Sequence, residues 1–218
     1  MDTTNRRIFI LSPARCDGLR AKRLISGQGE FPLAQELSLG TATLGAVFSF
    51  LSALYFRGKL TYAKAFANPP NGVPGVLVIT PGAGLCADQQ LVGIETLKSF
   101  AAVEIDEKNR SYREPLERDA KSIAQRLSAE CEVVFLGSIA TDKYLQILTD
   151  AFGPSLRFPI DFIGRGDMSR GGLLLRSVES GTELDYAAAS GMKYRGPRPQ
   201  KLPKRPRMRP RFTDSDRA

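Results

Sequence analysis

Histidine is absent from all 218 residues of the chain. Without it the protein cannot build a Ser-His-Asp or Cys-His catalytic site, an HExxH zinc site or a haem held by histidine. The three cysteines include no Cys-x-x-Cys pair, so we expect no structural zinc site and no disulfide framework. The composition therefore predicts a protein without a bound metal, in the reducing environment of the cytoplasm.

Long apolar runs are also scarce. The first, Ile8 to Leu11, is too short for a secretory signal. The longest extends from Ala42 to Phe56 and is interrupted by glycine and serine, and it falls short of the about 20 residues that cross a bilayer. This run indicates a buried helix, and we expect no association with a membrane.

The excess of positive charge is confined to the C-terminal part of the sequence. Residues 191–218 hold ten Lys or Arg and two Asp, a surplus that equals the whole net charge of +8. The same segment contains five prolines. We therefore predict a folded domain over residues 1–190, followed by a disordered basic tail over residues 191–218.

Regularly spaced cations on an extended chain suit a nucleic-acid backbone. We expect nucleic acid to be the partner of the tail, and an acidic protein stays open as the alternative. The residues that would contact phosphates are Lys201, Lys204, Arg205, Arg207, Arg209 and Arg211.

Short apolar runs alternate with helical patterns along the first 190 residues. The runs Ile8–Leu11, Val76–Ile79, Val133–Leu136 and Phe158–Ile163 are typical of buried parallel strands, and residues 183–188 are a candidate edge strand. Between them, the clearest helical pattern begins at Pro115, which we expect to be its first residue. This order predicts an α/β, Rossmann-like fold, with a mostly parallel central sheet of four to five strands and helices on both faces.

In such sheets ligands bind beyond the carboxyl ends of the strands. Four turns lie at that edge: Ser12–Gly18, Thr80–Cys86, Gly137–Lys143 and Gly164–Gly172. The last is rich in glycine, carries two arginines and precedes a helix, a combination that suits an anion. The residues that we expect to bind a ligand or phosphate are Ser12, Arg15, Gly82, Gly84, Ser138, Thr141, Lys143, Gly164, Arg165, Gly166, Ser169 and Arg170.

Three side chains are candidates for catalysis. Asp17 and Asp167 could move a proton, with capping or turn-forming roles as the alternatives. Cys16 could be a nucleophile if the neighbouring Arg15 lowers the pKa of its thiol, but free cysteines more often pack as small core residues.

Residues Gly82–Ala87 match a G-x-G-x-x-A dinucleotide fingerprint, and Glu104 lies where a ribose-binding acid is expected. Pro81 interrupts the pattern, so NAD(P) is retained only as an alternative and no other cofactor is expected. Tyr55 and Lys59 have the spacing of the Tyr/Lys pair of short-chain dehydrogenases, but they precede any glycine motif, unlike in that family.

The order of motifs resembles a known family. An Ile-Leu-Ser-Pro strand end, the helix segment LYFRGKLTYA, then VITPGAGL, VFLGS and a glycine-rich turn resemble the YaaA-type Rossmann-like proteins and their bacterial and phage relatives. The resemblance covers about residues 6–180. Those proteins are similar to a domain of archaeosine-type tRNA modification enzymes, so the resemblance implies the handling of nucleic acid and nucleobases.

The sequence as a whole predicts a protein associated with nucleic acid that acts on a nucleotide, nucleoside or nucleobase at the carboxyl edge of its sheet. Two alternatives stay open. One is a non-catalytic nucleic-acid-binding protein that uses the basic tail, and the other is a dinucleotide-dependent oxidoreductase.

Overall fold

A computed structural model of the protein describes residues 6–26, 31–138, 142–189, 199, 200 and 202. Of the expected basic tail, the six cations assigned to nucleic-acid binding all lie outside the described residues. The core is one cluster of buried apolar side chains that extends from Ile8 in the first strand to Ala189 after the last.

Strands and helices alternate along the described chain. The strands are β1 (Arg7–Leu11), β2 (Ala42–Thr43), β3 (Val76–Thr80), β4 (Gly84–Ala87), β5 (Leu91–Val92), β6 (Glu132–Leu136), β7 (Leu156–Pro159) and β8 (Tyr186–Ala188). The helices are α1 (Leu19–Ile25), α2 (Pro32–Ser38), α3 (Leu44–Ser52), α4 (Leu54–Phe66), α5 (Ile94–Ala101), α6 (Arg110–Ala124), α7 (Asp142–Phe152) and α8 (Asp167–Ser180).

Six strands form the main sheet, in the order β4-β3-β1-β6-β7-β8. The four central strands are parallel, and both edge strands are antiparallel to their neighbours. This confirms the predicted Rossmann-like α/β class, with more strands than the four to five expected. The remaining two strands, β2 and β5, pair in a small separate antiparallel ribbon.

The central strand β1 is covered on both faces. All four residues from Ile8 to Leu11 are completely buried, and successive side chains of a strand point to opposite faces. Helix α4 packs on β1 and β3 and in turn carries α8, while α6 packs on β4 and α7, and α7 packs on β7. Two helical layers thus enclose the sheet, as the continuous apolar runs predict.

Helices α4 and α8 cross unusually closely, because glycines face each other where they meet. A Cβ atom on Gly171 would lie 2.9 Å from the carbonyl oxygen of Leu54 and 3.0 Å from the Cα atom of Tyr55. A Cβ atom on Gly58 would lie 2.8 Å from the carbonyl oxygen of Gly171. This contact fixes the position of α4, and with it the residues that α4 carries toward the carboxyl edge of the sheet.

Three local expectations were wrong. The chain leaves the sheet at Pro159 and forms a 3₁₀ turn over Ile160–Phe162, so the fourth parallel strand is shorter than predicted. Helix α8 begins at Asp167, so most of the expected glycine-rich turn is helical. Pro115 lies inside α6, because the helix begins five residues earlier at Arg110. Asn109 caps this start by accepting a hydrogen bond from the Ser111 backbone N–H group.

Among the described residues, no helix is both long enough and apolar enough to cross a membrane.

Candidate functional site

The turns after several parallel strands meet at the carboxyl edge of the sheet around one cavity. Its volume is about 610 Å³. We call it the edge cavity, and its lining residues are Pro13–Asp17 after β1, Pro81 after β3, residues 100–105 around the end of α5, and Lys143 and Tyr144 at the start of α7. Three of the four turns that the sequence nominated contribute to it.

Arg15 and Asp17 stand at the rim of the edge cavity and bind each other. The Arg15 guanidinium donates two hydrogen bonds to the Asp17 carboxylate, at 2.6 and 3.0 Å. These bonds hold the pKa of Asp17 below its ordinary value and raise that of Arg15. Asp17 is therefore an ionised, exposed carboxylate, an arrangement suited to binding and unsuited to acid catalysis near neutral pH.

Cys16 faces the protein interior. Its thiol is buried and donates to the backbone oxygen of Ala14 at 3.5 Å. Burial, with a further contribution from the negative charge of Asp17, raises the pKa of Cys16 to about 12. The expectation that Arg15 would lower this pKa is wrong, because the guanidinium is turned toward Asp17. Since the thiolate is the reactive form, the structure argues against Cys16 as a nucleophile.

The turn after β6 is only partly described. Ser138 follows the strand and is half-buried, whereas Thr141 lies outside the described residues. Lys143 lines the edge cavity, and its backbone oxygen accepts a hydrogen bond from the buried Tyr112 hydroxyl at 3.1 Å. That bond ties the first turn of α7 to α6 and fixes the place from which the Lys143 side chain extends.

The fourth nominated turn lies at a different cavity. Gly164–Ser169, Gly172 and Arg176 line it together with Pro199, Gln200 and Leu202, and its volume is about 790 Å³. Gly164 adopts a left-handed conformation (φ +70°), which explains the glycine there. Gly166 caps α8 through its backbone alone.

Both arginines of this turn have partners within the protein. Arg165 donates to the backbone oxygen of Asp161 at 2.9 Å, with longer contacts of 3.4 Å to the Ser169 hydroxyl and the Gln200 backbone oxygen.

Arg170 donates twice to the backbone oxygen of Phe162, at 3.2 and 3.1 Å, and its guanidinium lies over the Phe162 ring. Its guanidinium is also 3.7 Å from Asp167, whose side chain is 69% exposed. Arg170 therefore anchors the start of α8, and the binding of phosphate by Arg170 stays a prediction.

Gly82 and Gly84 form a β-hairpin, so the dinucleotide interpretation of this segment was wrong. Strand β4 returns antiparallel to β3, whereas the fingerprint requires a helix after the glycines. Both glycines have positive φ angles. A side chain on Gly84 would overlap the Asp119 carboxylate, which accepts a hydrogen bond from the Leu85 N–H group at 3.0 Å. These glycines serve the packing of α6 against the hairpin.

The most unusual side chain at this edge is Lys59, which the sequence singled out only for its spacing from Tyr55. It lies on α4, is 1% exposed, and its ammonium nitrogen Nζ contacts Ser12 at the end of β1. The distances are 2.6 Å to the Ser12 backbone oxygen and 2.8 Å to its hydroxyl oxygen Oγ. The nitrogen also lies over the rings of Tyr55 and Phe56, 4.7 and 4.9 Å from their centroids.

Burial lowers the pKa of Lys59 to about 7, because the charged amine loses its hydration. Asp167 opposes this shift and Arg170 adds to it. The amine is therefore divided between its neutral and charged forms near neutral pH. Strongly shifted groups in a cleft are candidates for a functional site.

Tyr55 completes the group of side chains around Lys59. It is 7% exposed, and its hydroxyl group has no hydrogen-bond partner among the described residues. Burial raises the pKa of Tyr55, and the nearby Arg170 guanidinium offsets this only in part. A buried hydroxyl without a well-formed hydrogen bond costs free energy.

Comparison with known proteins adds no relative, since no protein-family model, no curated protein and no solved structure matches the chain. A Rossmann-like fold also hosts many unrelated activities. The function therefore depends on the geometry and chemistry of the edge cavity and the side chains near it.

Proposed function

We propose that the protein binds and acts on a nucleotide, nucleoside or nucleobase in the edge cavity, and that it associates with nucleic acid. The observation that supports this is the meeting of three strand-end turns around one cavity at the carboxyl edge of a mostly parallel sheet. Ligands of Rossmann-like domains bind at this edge. The volume of about 610 Å³ is within the range of small-molecule sites.

The lining of the edge cavity suits a base attached to a polar or charged group. The Tyr144 ring offers an apolar face for stacking. Asp17 and Glu104 can accept hydrogen bonds from the N–H groups of a base, while Arg15 and Lys143 can donate to carbonyl or phosphate oxygens. The family resemblance implies the same ligand class.

A thermal-shift screen of nucleotides, nucleosides and free bases tests this proposal. A ligand at about 100 times its dissociation constant stabilises the folded state by about 2.7 kcal/mol, which raises the melting temperature of a chain this size by roughly 5–10 °C. We expect Arg15→Ala and Lys143→Ala to reduce the shift at the same ligand concentration. Lys121→Ala is the matched control, because Lys121 is exposed on α6 and does not line the cavity. The absence of a shift with all three ligand classes contradicts the proposal.

A second candidate, non-catalytic binding of nucleic acid, is favoured by the concentration of the net charge in residues 191–218. Six phosphate contacts give a slope of about −5 in a plot of log K against log salt concentration. In the full chain, we expect glutamine at all six tail positions, Lys201, Lys204, Arg205, Arg207, Arg209 and Arg211, to abolish most of this slope, as measured by fluorescence anisotropy.

The control for that experiment replaces exposed cations of the folded domain by glutamine. Four lie along α6, namely Arg110, Arg113, Arg118 and Lys121. If their loss reduces the salt dependence as much as the loss of the six tail cations, binding does not depend on the tail. If the tail variant binds nucleic acid weakly yet keeps its thermal shift with small ligands, the two functions reside in separate parts of the chain.

A further inference from the structure

Ser12 and Lys59 form a pair with the geometry of a nucleophile and its base. The distance of 2.8 Å between Ser12 Oγ and Lys59 Nζ is that of a direct hydrogen bond. Activated serines in enzymes have a proton acceptor at this distance, and the acceptor is itself held in place by a further group. Here the Ser12 backbone oxygen, 2.6 Å from Nζ, holds the amine.

Lysine can replace histidine as the base only when it is neutral. Most lysines are protonated at neutral pH, but burial brings the pKa of Lys59 to about 7, so a large share of the amine carries a free electron pair. The groups that face the amine are Asp167 and Arg170 on α8 and Tyr55 on its own helix. A chain without histidine thus still holds a base suited to a serine nucleophile, as Ser-Lys sites of other folds do.

The buried Tyr55 hydroxyl lies in the same group of side chains as this pair. No hydrogen bond of standard geometry reaches this hydroxyl within the described residues, although the Arg170 guanidinium lies close enough to lower its pKa. Ser12 and Lys59 lie next to the edge cavity and do not themselves line it. Ser12 retains 7% exposure while Lys59 retains 1%, and the next two residues, Pro13 and Ala14, line the edge cavity.

We propose that Ser12 and Lys59 are a catalytic dyad that transfers or hydrolyses the acyl group of an ester or amide entering through the edge cavity. Tyr55 donates its hydroxyl proton in a hydrogen bond to the acyl oxygen as negative charge develops there. The inference shares the cavity of the proposed function, but it does not require that the substrate be a nucleotide.

The reaction proceeds in two balanced steps. In the first, Ser12 Oγ forms a bond to the acyl carbon, Lys59 Nζ takes the hydroxyl proton, and the alcohol or amine leaves with that proton. In the second, water attacks the serine ester, Lys59 takes a proton from the water, and the Ser12 oxygen recovers it as the carboxylic acid departs. The sum is the ester or amide plus water giving the acid and the alcohol or amine, with no oxidant or metal involved.

The test uses the full chain and a small fluorophosphonate probe. In the labelling reaction Ser12 Oγ forms a bond to phosphorus, fluoride leaves, and Lys59 takes the proton. We expect peptide mass spectrometry to place the adduct on Ser12, and the labelling rate to rise with pH to a plateau above about pH 7, as Lys59 loses its proton. The same protein should release 4-nitrophenol from 4-nitrophenyl acetate.

Three variants make the outcome decisive. Ser12→Ala removes the nucleophile and Lys59→Arg retains a cation that cannot act as a base, so each should lower the labelling rate by at least about 100-fold. Ser177→Ala is the matched control, since Ser177 is also 7% exposed but donates to the backbone oxygen of Thr182 and contacts no lysine within the described part of the chain. Melting temperatures report whether each variant folds.

Labelling of Ser12 with this pH profile supports the dyad, even if no nucleotide produces a thermal shift. The absence of labelling in the unmodified protein overturns it, as does labelling that survives in Ser12→Ala or rises only above pH 9. Nucleotide-induced stabilisation without labelling retains the proposed ligand class and rejects the catalytic dyad.

Discussion

Replacing Lys59 by methionine is expected to remove the uptake of one proton on unfolding, and with it part of the pH dependence of the unfolding free energy. Methionine fills a similar volume without a charge, so Lys59→Met tests the buried amine with little change in packing. Relative to the unmodified protein, we expect this variant to be more stable at pH 6 than at pH 9.5. The unfolding free energy of Lys59→Met minus that of the unmodified protein should be about 3 kcal/mol larger at pH 6 than at pH 9.5.

The sign follows from where the proton is bound. The folded-state pKa of Lys59 is about 7, against 10.5 for an ordinary lysine. Between these values the unfolded chain holds a proton that the folded chain has lost, so unfolding takes up a proton and the folded state gains stability as the pH rises. Below about pH 7 the full cost of burying the amine is present, and the slope disappears.

Urea unfolding between pH 6 and pH 9.5 measures this difference. The slope of the unfolding free energy against pH should differ between the two proteins by up to about 1.4 kcal/mol per pH unit. Loss of the hydrogen bonds to Ser12 adds an offset that does not depend on pH. Lys121→Met, at an exposed position on α6, should leave the slope unchanged. Equal slopes for Lys59→Met and the unmodified protein would show that the amine keeps its ordinary pKa.

Adding a single methyl group at Gly171 is expected to destabilise the fold by about 2 kcal/mol. The new Cβ atom would lie 2.9 Å from the Leu54 carbonyl oxygen and 3.0 Å from the Tyr55 Cα atom, and both are backbone atoms that move only if the helix moves. This cost exceeds the about 0.5–1 kcal/mol that alanine gains over glycine inside a helix. Gly171→Ala should also displace α4 and lengthen the contact between Lys59 and Ser12.

The neighbouring Gly172 provides the control, because alanine at this position should change the unfolding free energy in the opposite direction. Among the described residues, a Cβ atom there would meet the end of the Arg176 side chain at 3.3 Å and Leu202 at 3.8 Å, and the end of a flexible arginine can shift. Gly172→Ala should therefore stabilise the protein by about 0.5–1 kcal/mol. Urea unfolding of both variants measures these changes in free energy. If Gly171→Ala is as stable as Gly172→Ala, then α4 and α8 do not pack as closely as described.

The central strands were predictable because each is buried on both faces. A strand of this kind must be apolar at every position, so β1, β3 and β6 were found to within one residue of their observed bounds. Their parallel order then placed Ser12, Pro81 and Lys143 at one edge of the sheet. The chain reversal at Gly82 was misjudged, since glycines suit a hairpin turn as well as a phosphate loop, and only the pairing partner distinguishes them.

The glycines before and within α8 were misinterpreted for a related reason. Glycine permits a close approach of backbone to any neighbour, and at Gly171 that neighbour is another helix. Arginine has the same ambiguity, because Arg170 could grip a ligand or the carbonyl oxygen of Phe162, and the fold uses it for the second purpose. Residue type alone identifies what a side chain can bind, but not which group will be in reach.

The sequence by itself determined the α/β class, the edge of the sheet at which to look for a ligand and the absence of histidine chemistry. These features depend on composition and on apolar patterns within single strands and helices. The pairing of Lys59 with Ser12 was decided only by the tertiary structure, because the two residues are 47 positions apart and meet where α4 packs across the end of β1. Burial at that meeting point sets the protonation of the amine, and no local pattern in a chain records how deeply a side chain will be buried.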